Sequence, residues 1–207
     1  MLSFFKSSKN KIPKKGKSFY DRENLIQTTK ELSNVLNCLS STKTSKTNSN
    51  ILFQNIELNA ISEKNLEKDF GEKSYCLEPN SGIPDHRIYY FRVTSKHLKI
   101  LIQIHFVAEQ FFFAASKVYS DALLTTSDKQ NVRNQIISKY HPDIDDSSFD
   151  IDIVDPMGNI LFTQDNVFFY MKYIANNSTS QHLKKQYSLN QTPKSSDETE
   201  DTLNKLI

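Results

Sequence analysis

Tryptophan is missing altogether, and glycine, cysteine and arginine are scarce: the 207 residues hold 4 glycines, 2 cysteines and 4 arginines against 22 lysines. Each shortage excludes something. A phosphate-cradling loop needs clustered glycines so that backbone N–H groups can approach the anion. Gly16, Gly71, Gly82 and Gly158 stand apart, which removes a P-loop and a dinucleotide fingerprint. Cys38 and Cys76 make neither a disulfide framework nor a zinc site, and they suit a reducing compartment. So few arginines argue against specific nucleic-acid recognition, which favours the bidentate guanidinium. No apolar run reaches the ~18 residues of a membrane span, and the first twenty residues lack the continuous apolar stretch of a secretory signal. A cytoplasmic protein with no cofactor is the expectation.

Catalytic signatures are missing too. There is no GxSxG, and neither cysteine sits in an activating motif. His86, His97, His105, His141 and His182 form no HxH, HxxxH or HExxH pair, so no catalytic residue is named. The segment Asp143–Asp155 holds six aspartates in thirteen residues. A calcium loop starting at Asp143 would need glycine where Ser148 stands and glutamate where Val154 stands. Asp150 and Asp152 alternate with Phe149, Ile151 and Ile153, as the wet side of a half-buried strand does. No metal ligand set is assigned.

What the chain does have is one dominant apolar stretch, Arg87–Tyr119. Within it Leu98, Ile100, Ile102, Ile104 and Phe106 share one face of a strand. Lys99, Leu101, Gln103, His105 and Val107 share the other. The breaks at Ser95-Lys96 and Ala108-Glu109 are too short for parallel crossovers, so three antiparallel strands in a meander are predicted. Around this centre, Asp21–Leu39 shows helical spacing with Asp21 as N-cap. Residues 40–50 are polar throughout and read as a linker. Ile51–Leu58 and Tyr75–Leu77 read as strands, with a short helix capped at Ser62 between them. Thr125–Tyr140 is a helix with Ser127 and Gln130 as its capping box, stopped by His141-Pro142. Phe149–Val154 and Ile160–Thr163 make a hairpin around Gly158. Residues 167–174 read as a last strand, with a helix capped at Asp165 or Asn166 as the alternative.

The expected fold is therefore α+β: an antiparallel sheet, meander plus hairpin, over residues 51–176, with about two helices packed on one face. A tethered amphipathic helix, 21–39, precedes it on the linker 40–50. A basic tail, 1–20, and a polar tail, 177–207, flank the whole and are expected to be disordered. A sheet covered on one side leaves the other for recognition. Its mixed residues, Tyr90, Arg92, Lys99, Gln103 and His105, are the partner-binding candidates. The expected function is a non-enzymatic protein-interaction or adaptor domain that binds another protein through this face, the N-terminal helix or both. One alternative is a peripheral membrane protein, touching anionic lipid through Lys6, Lys9, Lys11, Lys14, Lys15 and Lys17. The other is a divalent-cation-dependent hydrolase built on His141 and the Asp143–Asp155 cluster.

Overall fold

The fold grows from the meander. In the computed structural model, which describes residues 19–40, 44–79, 81–95, 97–121, 123–142 and 148–188, three ten-residue strands lie side by side: β5 (His86–Ser95), β6 (Leu98–Val107) and β7 (Gln110–Tyr119). The turn between β6 and β7 puts Ala108 at φ 48° and Glu109 at φ 64°, the left-handed pair of a two-residue hairpin whose twist matches its strands. Pairing of Ser95 with Leu98 and of His86 with Val107 fixes the β5–β6 register along its whole length.

Five shorter strands complete an eight-stranded sheet. These are β1 (Ser45–Lys46), β4 (Tyr75–Leu77), β8 (Asp152–Val154), β9 (Ile160–Asp165) and β10 (Phe169–Ile174). The strand order is β1-β8-β9-β10-β7-β6-β5-β4. Every pairing is antiparallel except β1 with β8, which is parallel. The sheet is thus mixed at one edge. Residues 167–174 are strand from Phe169 onward. A separate small hairpin, β2 (Leu52–Phe53) and β3 (Ile56–Glu57), turns at Gln54 and Asn55, both at positive φ.

Helices lie on both faces of the sheet, where two on one face were expected. On one side, α3 (Thr126–Tyr140), the short α2 (Leu66–Phe70) and the β2–β3 hairpin close over the even positions of β6. Ile102, Ile104 and Phe106 meet Phe53, Leu58, Leu66, Ile136 and Tyr140 there in one buried cluster. On the other side, α1 (Thr29–Asn37) and α4 (Ser178–Ser188) pack together. Leu32, Leu36 and Leu183 join Phe112, Phe113, Ala115 and Ile174 in a second core.

Four expectations need correction here. The N-terminal helix begins at Thr29, not Asp21: Thr28 accepts from the Glu31 amide and Glu31 caps back in a full capping box. Asp21 instead lies in a 3-10 turn, Tyr20–Glu23. Nor does α1 hang on a leash, since Leu32 and Leu36 are 0% exposed against the sheet layer. The polar stretch after it supplies the edge strand β1, whose backbone pairs with β8 without needing an apolar side chain. Past residue 176 the chain forms α4, held by Leu183 and Tyr187, one helical turn apart on a narrow stripe. Residues 1–18 and 189–207, and with them most of both expected tails, lie outside the described residues.

Candidate functional site

The face of the sheet beneath α1 and α4 carries the odd positions of β6, and it divides into a covered half and a half-open one. The covered half holds an unusual run of polar groups. Ser81 Oγ lies 3.2 Å from His86 Nδ1, His86 Nε2 lies 3.1 Å from His105 Nδ1, and His105 Nε2 lies 3.4 Å from Gln103 Oε1. The Gln103 amide then grips a strap of main chain ahead of α1. Its Nε2 donates to Glu23 O at 2.5 Å, and its Oε1 accepts from Leu25 N at 3.4 Å. Ser81, His86, Gln103 and His105 are all buried, His105 completely. Phe112 and Phe113 stand against the rings.

Only one arrangement of protons satisfies this chain. Gln103 Oε1 must face Leu25 N–H, so the hydrogen that His105 presents to it is on Nε2. His105 Nδ1 is then an acceptor and takes its hydrogen from His86 Nε2. His86 Nδ1 in turn accepts from the Ser81 hydroxyl. Both rings are neutral, because burial penalises the charged form. It lowers the His86 pKa from 6.5 to about 4, and it holds His105 well below its ordinary value, with His86 adding to the effect.

The half-open part lies nearer the other end of the strands. Register places Lys117 and Tyr119 of β7, Tyr170 and Lys172 of β10, and Phe162 and Gln164 of β9 on this same face. All six are half-buried. Lys117 Nζ sits 3.7 Å from the centre of the Phe168 ring and 5.6 Å from that of Tyr119. Lys172 Nζ sits 5.3 Å from Phe162 and 5.5 Å from Tyr170, and donates to Gln164 Oε1 at 2.7 Å. Desolvation lowers the pKa of both lysines. Among the described residues neither is in a salt bridge. The carboxylate that acts on Lys117, Glu23, is bonded to Tyr75 OH and Arg92.

The five residues expected to meet a partner are scattered across these environments. Gln103 and His105 belong to the buried chain, and Tyr90 is 0% exposed, stacked on Tyr75 at 4.2 Å between ring centres. Their face was expected to be open; the strap and α1 cover it. Arg92 is exposed and paired with Glu23, and Lys99 is paired with Asp121. Lys6, Lys9, Lys11, Lys14, Lys15 and Lys17 lie outside the described residues, as do Asp143, Asp145 and Asp146. Of the remaining aspartates, Asp150 accepts from the Asp165 amide, and Asp155 is buried in its own turn. His141 ends α3 in the left-handed region, φ 43°. Among the described residues no three His, Cys, Asp or Glu side chains group as metal ligands, and no helix is long and apolar enough to cross a membrane.

Sequence reasoning missed His86, Lys117, Phe168 and Lys172. A signal for the first was present. A two-residue loop after Ser95 pairs Ile88 with His105, which puts His86 diagonal to His105 on the same face. Likewise the turn at Ala108-Glu109 sets Lys117 across from Leu101. Lys172 and Phe168 depend on β10 joining β7, a pairing of distant segments that no local window shows. No protein-family model matches the chain, and neither a curated protein nor a solved structure matches it.

Proposed function

We propose that this protein is a non-enzymatic binding domain whose ligand is an extended acidic segment of another protein, laid across the half-open face between Lys117 and Lys172. One observation carries the reading: two partly desolvated ammonium groups lie over aromatic rings and, among the described residues, no carboxylate is in a salt bridge with either. A cation in this state is attracted to the ring beneath it by roughly 0.5–2 kcal/mol. Its outward side has lost hydration without gaining an anion. An incoming carboxylate restores that balance, while Tyr119, Phe162, Phe168 and Tyr170 supply rigid apolar contact around it. The buried polar side chains of the covered half are spent on one another, which supports a binding role over a catalytic one.

The test is fluorescence anisotropy with a labelled glutamate-rich peptide, a single-stranded oligonucleotide and vesicles containing anionic lipid. The peptide is expected to bind, more weakly as salt rises. The double variant Lys117→Ala/Lys172→Ala is expected to lose about tenfold or more, since each charged contact is worth on the order of 1 kcal/mol. Tighter binding of the oligonucleotide would transfer the surface to nucleic acid. Binding of vesicles alone, unaffected by the double substitution, would transfer function to another part of the chain. Peptide binding that ignores both lysines removes the proposal.

A further inference from the structure

The strap over the covered half is one continuous piece of main chain, tied through Gln103 to the buried His105, which is bonded in turn to His86. Asn24 Oδ1 accepts from Ile26 N at 3.0 Å and gives the strap its bend. Ile26 is 0% exposed in the second core. Among the described residues the polar attachment of the strap's main chain to the sheet is the Gln103 amide, one group bonded at both ends. Glu23 adds a lateral tie to Tyr75 OH at 2.7 Å and to Arg92 at 2.9 Å.

We infer that residues 23–26 form an acid-released strap, in which protonation of the His86–His105 pair detaches the main chain from Gln103 before the sheet itself opens. The geometry sets the order of events. A first proton is accommodated without moving the strap: His105 can carry hydrogen on both nitrogens and donate from Nδ1 to His86 Nε2, while His86 turns its Nδ1–H toward the Ser81 hydroxyl, which then accepts. A second proton cannot be accommodated, because two N–H groups would face each other across 3.1 Å in a dry site. Relief requires water at the rings. From below, the route is closed by the sheet and by Phe112 and Phe113. From above, it is closed by the strap at the His105 end, through Gln103, and by Ser81–Ile83 at the His86 end. The strap is the lightest of these barriers: among the described residues its main chain is tied to the sheet through Gln103 alone, whereas Ser81–Ile83 is also bonded to α4 through Tyr187.

The charged and titratable groups around the pair do not offer another trigger within the cluster. The strap brings Asp21 and Glu23, with the Glu23 carboxylate directed to Tyr75 and Arg92. The α1 helix brings Glu31, engaged by Thr28 and Gln27. The α4 helix brings Tyr187, which donates to Gly82 O at 3.4 Å. The loop before β5 brings Asp85, which is exposed. From the sheet, Lys117 and Arg92 point to the half-open side. Among the described residues no carboxylate is a hydrogen-bond partner of either ring.

The full chain tests this by nuclear magnetic resonance between pH 7.5 and 4. At neutral pH both imidazoles should show hydrogen on Nε2. As pH falls, protection of the Leu25 and Ile26 amides should drop more than tenfold while the Ile102 and Ile104 amides of β6 keep theirs. The opening of the strap should follow the uptake of about two protons. His86→Phe should reduce that dependence to about one proton; where this variant does not fold, the wild-type proton number decides alone. Glu23→Gln should leave the dependence in place. Hydrogen on Nδ1 at neutral pH, simultaneous loss of strap and β6 protection, one-proton opening in the wild type, or loss of the dependence in Glu23→Gln would each overturn the inference.

Discussion

A single carboxylate organises the turn after β8. Asp155 is 5% exposed and accepts four N–H groups: Met157 N at 2.9 Å and Asn159 N at 2.8 Å on Oδ1, Ile51 N at 3.0 Å and Asn159 Nδ2 at 2.9 Å on Oδ2. The sequence offered it as a cation ligand; the amides it faces use up its lone pairs instead. Asp155→Ala leaves several buried donors without an acceptor, at roughly 1–3 kcal/mol each. The expected loss is about 4 kcal/mol in urea unfolding, and a loss below about 1 kcal/mol would show that water replaces the carboxylate freely. His86 makes a prediction of opposite character, through pH. Its folded pKa, about 4, is below its unfolded value of 6.5, so the unfolded chain binds the extra proton. Its contribution is complete above pH 6.5, falls as pH drops toward 4, and is level below. At about 1.4 kcal/mol per pH unit this amounts to roughly 3 kcal/mol in total, of which about 2 kcal/mol is lost between pH 7 and 5. His105 acts in the same direction. Urea midpoints that stay constant from pH 7 to 5 would rule this out. Gln103 and His105 were legible as polar residues on a definite face of β6. Their burial was not, because Glu23 and Leu25, which cover them, lie 80 and 78 residues away from Gln103 in sequence.

Elements were legible in proportion to how local their causes are. The meander, α3 and the β8–β9 hairpin are written in alternation, capping residues and turn chemistry, all within a few residues of where they act. For α3 the cap is Thr125 with Asp128, two residues ahead of the expected Ser127–Gln130 pair, which lies inside the helix. The start of α1 went astray because Leu25 and Ile26 continue its apolar spacing backward, although they belong to the strap. The Thr28–Glu31 box overrides that spacing, and Thr28→Ala is expected to cost about 1 kcal/mol, seen as a lower thermal midpoint. The edge strand β1 and the helix α4 were invisible for a different reason: both are polar segments whose stability comes from what they dock on. In α4 the contact is concentrated in few side chains. Leu183, 3% exposed, fills the second core beside Ile26 and Leu36. Leu183→Ala is therefore expected to cost about 2–5 kcal/mol, whereas Lys185→Ala, at an exposed position of the same helix, should be near neutral. Equal effects of the two, measured in urea, would mean that α4 does not hold the core closed.

At the scale of the molecule the sheet separates two cores of unequal make-up. The α3 side is lined by apolar side chains from almost every element it touches. The α1/α4 side includes Ser33, His86, Gln103, His105 and Ser180 among its buried residues, and each buried polar group adds desolvation that its hydrogen bonds only offset. The cover on that side consists of a 9-residue and an 11-residue helix, too short to persist apart from the sheet. They pack on each other from opposite ends of the described chain, so their contact closes a long loop at a cost in chain entropy. The meander, by contrast, is paired along all ten residues of β5. These differences predict that the α1/α4 layer opens as a unit at lower free energy than the sheet. Native-state hydrogen exchange in low urea should show α1 and α4 amides merging into one opening isotherm, distinct from and below that of the β5–β7 amides. The β9 and β10 amides should follow the sheet, because Leu161 and Tyr173 are anchored in the α3-side core. One shared isotherm for helices and meander would instead make the two cores a single cooperative unit, with the polar chain under the strap binding the layers together.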